Sequence, residues 1–130
     1  MAKYAHPDVL DNGPAYIKAN CNKVALISAY AFGDSYATVN GRILAEAAMA
    51  TTDFTHGSSG NDRTLTTASG KQDTAANASG GGETNHIAFL DVTNSKVLWV
   101  TEETTGQAIT AGNPVTFPSL VYTAKQPVAP

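Results

Sequence analysis

Cationic residues are few in this chain and never cluster. The eight Lys and Arg are Lys3, Lys18, Lys23, Arg42, Arg63, Lys71, Lys96 and Lys125. Nucleic-acid binding draws on a basic stripe that displaces condensed counterions, so nucleic acid is not expected as a partner. The same scatter gives no electrostatic hold on an anionic membrane. No apolar run approaches the ~20 residues that span a bilayer, and no membrane association is expected. Cys21 is the only cysteine, which excludes a disulfide framework within the chain. A lone thiol of this kind is expected to serve as a small, partly buried hydrophobe. The opening stretch, Met1 to Pro7, lacks the apolar segment of a secretory signal. Synthesis in a host cytoplasm, without export by that route, is the expectation.

Catalytic and metal-binding patterns are also missing. The histidines His6, His56 and His86 lie too far apart for a local zinc motif. His86 opens an apolar stretch and is expected to be a hydrogen-bonded strand residue. Asp91 sits inside the same apolar stretch, where a carboxylate is costly unless it is paired or caps the following turn at Thr93-Asn94. Acid–base work there would need a second carboxylate or a histidine, and spacing supplies neither. Gly80-Gly81-Gly82 is followed by Glu83 and a strand pattern, not by the Lys and helix that a phosphate-cradling loop requires. Asn77-Ala78-Ser79 matches a glycosylation acceptor by coincidence, given the lack of a signal sequence. No serine lies in a nucleophile-elbow context. The chain is expected not to be an enzyme and to take no cofactor and no metal.

What is present points to β structure. Hydrophobic residues make up 42% and charged residues 15%. Thr, Ser, Asn, Gly and Ala fill the difference. A hydroxyl- and amide-rich surface suits an all-β protein that lies against other proteins; a disordered chain needs more charge. A chain of 130 residues suits one domain, able to bury roughly 68–70% of its unfolded surface.

Along the chain, residues 1–7 read as an N-terminal arm, 8–125 as a single domain and 126–130 as a C-terminal tail. A short helix is expected after Asn12, with Pro14 in its first turn, or alternatively from Asp8 with a kink at Pro14. Val24 to Ala29 reads as a strand buried on both faces. Tyr30 to Gly41 reads as irregular, with turns at Gly33-Asp34 and Asn40-Gly41. Arg42 to Met49 has helical composition in a β context and reads as a short helix or an extended rim segment. Residues 55–63 read as a loop. Thr64 to Ala68 reads as a strand returning through Ser69-Gly70 into Lys71 to Ala76 as a hairpin. Residues 77–83 have the composition of a mobile loop tip. His86 to Val92 and Val97 to Thr101 form the clearest hairpin, apolar on both faces at their centres, as central strands of a sandwich would be. Gln107 to Thr110 is a short strand, and Val115 to Phe117 with Leu120 to Thr123 reads as one final strand bent at Pro118. Short strands with turns every 8–12 residues predict a single antiparallel β-sandwich, jelly-roll-like, with a short N-terminal helix.

The aromatic residues divide between core and surface. Trp99 is expected in the core, its alternative role being an exposed sugar-stacking platform. Tyr30, Phe32 and Tyr36 stand in the irregular stretch, where they either cap the sandwich core or anchor a partner. Tyr4, His6 and Pro7 of the arm join them as candidate protein-interface residues, with Tyr4 as the natural anchor. The Thr-rich strand Thr64–Ala68 has few guarding charges and reads as an edge open to another chain.

Several stretches together resemble a known family. They are Asp8-Val9-Leu10-Asp11 with Tyr16-Ile17-Lys18-Ala19-Asn20, then Thr52-Asp53-Phe54-Thr55. His86-Ile87-Ala88-Phe89-Leu90-Asp91 and the run from Gln107 to Phe117 complete the set. The arrangement resembles small tailed-phage structural proteins encoded among the head genes, some of which are capsid decoration or cement proteins with a jelly-roll-like β-sandwich. The resemblance spans Asp8 to Phe117 and implies no catalytic residues. It implies a bacteriophage virion protein on the outer capsid surface that stabilises contacts between major capsid subunits. The major capsid protein would be its partner, and a homodimer or homotrimer its form on the particle. The alternative from another class is a carbohydrate- or receptor-binding β-sandwich of a head fibre or spike.

Overall fold

Val24, Ala25, Leu26 and Ile27 are all buried, so the strand they form must be covered on both faces. The rest of the architecture supplies that cover. In the computed structural model, residues 4–82, 85–102 and 108–127 are described. They form α1 (Pro7–Asn20), β1 (Lys23–Ile27), α2 (Tyr36–Asn40), β2 (Ile43–Ala48), a 3-10 turn (Thr51–Asp53), β3 (Phe54–Ser59), β4 (Asp62–Thr67), β5 (Lys71–Asp73), β6 (His86–Asp91), β7 (Lys96–Glu102), β8 (Val115–Phe117) and β9 (Val121–Ala124). The fold is all-β and sandwich-like, with a helix at its N-terminus. A four-stranded sheet has the order β2-β1-β6-β7, a three-stranded sheet the order β3-β4-β9, and β5 pairs with β8. Every pairing between these strands is antiparallel.

Strand alternation sorts the apolar residues into two cores. Val24 and Leu26 of β1 and Ile87 and Phe89 of β6 face the three-stranded sheet, where they meet Phe54 and Leu65, with Ile17 and Cys21 of α1 closing the layer. The intervening Ala25, Ile27, Ala88 and Leu90 face the other way and pack under Val39 of α2. Phe89 is the hub of the larger core: Trp99 stacks on it at 4.6 Å between centroids, and Phe54 approaches edge-on at 6.4 Å.

The hairpin of β6 and β7 is where the sequence places it, but only β6 is central; β7 is an outer strand of its sheet. A register shift opposite Phe89 and Leu90 inserts Leu98 as an extra residue. The bulge has a packing consequence. Leu98 and Trp99 both turn to the inter-sheet core, while Val97 and Val100 pack on the opposite core. Trp99 is half-buried, not engulfed.

Several sequence expectations are corrected. Of the two helix readings the start after Asn12 fails and the start at Asp8 is met to within one residue: the helix begins at Pro7 and runs through a buried Pro14. Asn12 is exposed within it and caps nothing. Pro7 suits the first helical position, where no N–H is needed, and His6 O accepts from Val9 N and Leu10 N. Of the two readings of Arg42 to Met49 the extended one holds and the helix does not: Ile43–Ala48 is strand β2, at the rim of its sheet, because the free edge of β1 offers backbone partners that override helical propensity. Residues 55–63, expected as a loop, contribute to a regular hairpin of β3 and β4. Its tip has Gly60 at φ +61°, which lets the chain reverse. Thr64 to Ala68 is therefore no open edge: β4 lies between β3 and β9. Lys71–Asp73 pairs with β8, not with β4. Leu120 takes the place expected for that return, accepting from Thr67 N at 2.8 Å and donating to Thr67 Oγ1 at 2.8 Å. The expected final strand is two strands in different sheets, broken at Pro118.

The glycine-rich segment is pinned along its described length. Asn77 N and Ala78 N donate to Leu44 O at 2.7 and 3.2 Å, and Gly80 bridges Ile109. Gly81 is obligatory: a Cβ there would stand 1.9 Å from Asn85 Oδ1. The arm is tied down as well. Gln126, expected in a tail, accepts from Ala5 N at 3.1 Å and donates through Nε2 to Ala5 O at 2.6 Å. Residues 1–3, Glu83, Gln107 and 128–130 of the expected arm, loop, short strand and tail lie outside the described residues.

Truncating Phe89 to Ala is expected to cost about 3–5 kcal/mol, and truncating Trp99 less, because the indole already keeps part of its surface in water. Urea denaturation of the two variants checks the order.

Candidate functional site

After β1 the chain leaves the sheet and returns to it at Arg42, whose carbonyl accepts from Ser28 N at 3.1 Å. The excursion between is clamped by polar groups. Asp34 N donates to Ala31 O at 2.9 Å, closing a turn over Gly33, whose φ of +88° only glycine adopts freely. Asp34 Oδ2 accepts from Ala31 N at 2.8 Å and from Arg42 Nη1 at 2.8 Å. Arg42 Nη1 also donates to Ala29 O at 3.3 Å. Ser35 caps α2, its Oγ accepting from Thr38 N at 3.2 Å.

Phe32 stands on this clamped turn with 104% relative exposure. Its neighbours in the expected trio behave differently. Tyr30 and Tyr36 are half-buried and pack against the core under α2, and the Tyr30 ring lies 6.1 Å from that of His86. The turn thus splits the trio: two tyrosines cover the sheet and one phenylalanine faces solvent. Burying such a ring against a partner would recover about 1.5–3 kcal/mol that the monomer forgoes.

The arm residues occupy a second surface. Tyr4 is 72% exposed and borders a groove of about 440 Å³ shared with Ser58, Asn61, Arg63 and Gln126. His6 is exposed at the entrance to α1, and Pro7 is the first residue of that helix.

One cluster was invisible to sequence spacing because its members come from three elements. Asp11 of α1 accepts from Arg63 Nε of β4 at 2.6 Å, and His56 Nε2 of β3 lies 3.1 Å from the same Asp11 oxygen, off the line of a good hydrogen bond. The Arg63 hydrogen bond holds the Asp11 carboxyl below its ordinary value. The arrangement pins the helix to the hairpin. An Asp–His pair alone is not a catalytic constellation, since nucleophilic chemistry also needs a hydroxyl or thiol against the imidazole.

The other polar residues singled out in the sequence have structural partners. Asp91 is buried and caps its own turn, accepting from Asn94 N at 3.1 Å and Asn94 Nδ2 at 2.8 Å. The Asn94 side-chain bond lowers its pKa. Burial pushes the Cys21 thiol up to about 11, so it stays protonated at neutral pH and is a poor nucleophile. Among the described residues no group of three or more His, Cys, Asp or Glu side chains could hold a metal ion. No described helix is long and apolar enough to cross a membrane.

Asp11, Asp53 and Asp91 all have pKa values lowered from the ordinary 3.8. A carboxylate whose folded pKa is depressed contributes stability above its unfolded pKa and loses that contribution as pH falls through the folded value. The melting temperature is therefore expected to be flat near neutral pH and to fall below about pH 4. Asp11→Asn should lower it at neutral pH and make the acid slope shallower, read by differential scanning calorimetry across pH. No family model, no curated protein and no solved structure matches the chain.

Proposed function

We propose that this protein is a non-enzymatic binder of protein surfaces whose principal anchor is Phe32. The observation that carries the proposal is a fully exposed phenyl ring on a turn braced by the Asp34 carboxylate and the Arg42 guanidinium. An aromatic anchor held in place beforehand loses little conformational entropy on binding, and anchors of this kind dominate interface energies. Tyr4, whose neighbour Ala5 is strapped to Gln126, is a second anchor. The setting comes from the sequence resemblance: the outer surface of a tailed-phage capsid, where the chain would act as a decoration or cement protein on major capsid subunits. Modest affinity per copy suffices there, because a shell presents many equivalent sites and bound copies stabilise the assembled state by mass action.

A glycan-binding role finds less support. The platform it would need is Trp99, and that ring is taken up by Phe89, stacked at 4.6 Å, and by Tyr122, edge-on at 5.5 Å.

Phe32→Ser is expected to lower the copy number retained on purified particles about tenfold or more, consistent with loss of a hot-spot aromatic. The melting temperature of the free protein should be unchanged, because the ring touches solvent. Retention at the wild-type copy number would overturn the assignment of Phe32 as anchor.

A further inference from the structure

The groove beside Tyr4 lies where three parts of the chain meet. Tyr4 comes from the arm, Ser58, Asn61 and Arg63 from the β3–β4 hairpin, and Gln126 and Pro127 from the segment after β9. At about 440 Å³ it falls in the lower part of the range for ligand sites. Among the described residues that line it there is one cation, Arg63, and no carboxylate.

Arg63 is oriented by the helix. Its Nε donates to Asp11 Oδ1 at 2.6 Å, so the docking of α1 on the hairpin fixes the plane of the guanidinium. A guanidinium has five N–H donors, and this contact takes one of them. Neither Nη group has a hydrogen-bond acceptor among the described residues, and the side chain is 32% exposed. The other walls are tied down through Gln126. Its side-chain amide is spent on Ala5, next to Tyr4, and its backbone N donates to Asp62 Oδ1 at 2.8 Å. Ser58 and Asn61 add an exposed hydroxyl and an exposed amide.

A fixed fork of donors with no carboxylate facing it calls for an acceptor. A planar group with two oxygens fits the Nη fork bidentately, and the Tyr4 ring offers a surface to the carbons beside that group. We propose that this groove binds a carboxylate carried on a protein partner, the side chain of an aspartate or a glutamate, with the Arg63 Nη fork as its principal donor. The carboxylate chemistry rests on the groove alone, and the protein source rests on the surface-binding function proposed above. Because Asp11 already holds Nε, little side-chain freedom remains to be lost when the ligand arrives.

The test is a heteronuclear NMR titration of the full chain with three probes: N-acetyl-glutamate N-methylamide, its glutamine counterpart and glucuronate. The glutamate probe should shift the amides of Ser58, Asn61 and Arg63 saturably, with a Kd on the order of 1–10 mM. The glutamine probe should bind at least about tenfold more weakly, since a charge-assisted pair becomes a neutral one. Arg63→Lys keeps the charge and loses the fork, and should weaken the glutamate probe about tenfold. If that variant fails to fold, the comparison of charged with neutral probe on the wild type decides alone. No saturable shift, or equal affinity for the glutamine probe, would overturn the proposal. So would wild-type affinity in a folded Arg63→Lys, or glucuronate bound more tightly than the glutamate probe. The titration needs no particle, so its failure leaves the Phe32 test of the surface-binding function standing. Phe32→Ser should bind the glutamate probe as the wild type does.

Discussion

The burial of β1 on both faces is the constraint on which the rest of this structure depends. A strand read as Val-Ala-Leu-Ile has no polar face to offer water, so its neighbours must cover it in two directions and flank it on two edges. β2 and β6 supply the edges. The three-stranded sheet with α1 covers the face of Val24 and Leu26, and the excursion containing α2 covers the face of Ala25 and Ile27. The second cover is thin. One short helix of Tyr36–Asn40, the buried Val39 and two half-buried tyrosines do the work of a layer. Small residues make this possible, since Ala25 and Ala88 let the segment sit close to the sheet.

That thin cover explains why the exposed aromatic is where it is. A segment that closes one face of a sheet is held at both ends by the strands it connects, and polar clamps fill the span between. Asp34 satisfies a backbone N–H and a guanidinium at once, and Arg42 in turn satisfies Ala29 O. The turn is thereby stiff without a hydrophobic interior of its own. An apolar ring on such a turn is available to a partner at low entropic cost.

Edges are handled unequally across the molecule. β4 is enclosed by β3 and β9, and β2 is sheltered by the segment from Asp73 to Ala78. β7 has a bulge and terminal charges instead. These features discourage indiscriminate pairing. The bulge also serves the core. By turning Leu98 and Trp99 to the same side, it delivers both large side chains to the aromatic cluster around Phe89.

The sequence by itself determined the β-rich class, the doubly buried first strand and the hairpin at His86 to Thr101, and it narrowed Asp91 to a paired or a turn-capping carboxylate. Each of these rests on interactions between residues near in the chain, or on a hydrophobic period that any cover would satisfy. It also placed Phe32 among the candidate anchors, since an aromatic in a turn-rich stretch has few local partners. What only the tertiary structure decided are the choices that depend on distant neighbours. Ile43 to Ala48 became a strand because β1 had an open edge, and Lys71 to Asp73 left its expected hairpin for β8. Asp11, His56 and Arg63 met only when α1 docked on the β3–β4 hairpin. Which of three aromatics stayed in solvent was decided likewise, by the space above one sheet face. The physical reason is common to all of them. Backbone hydrogen bonding and burial are satisfied by whichever group lies close in space, and chain-local pattern carries no record of which group that is.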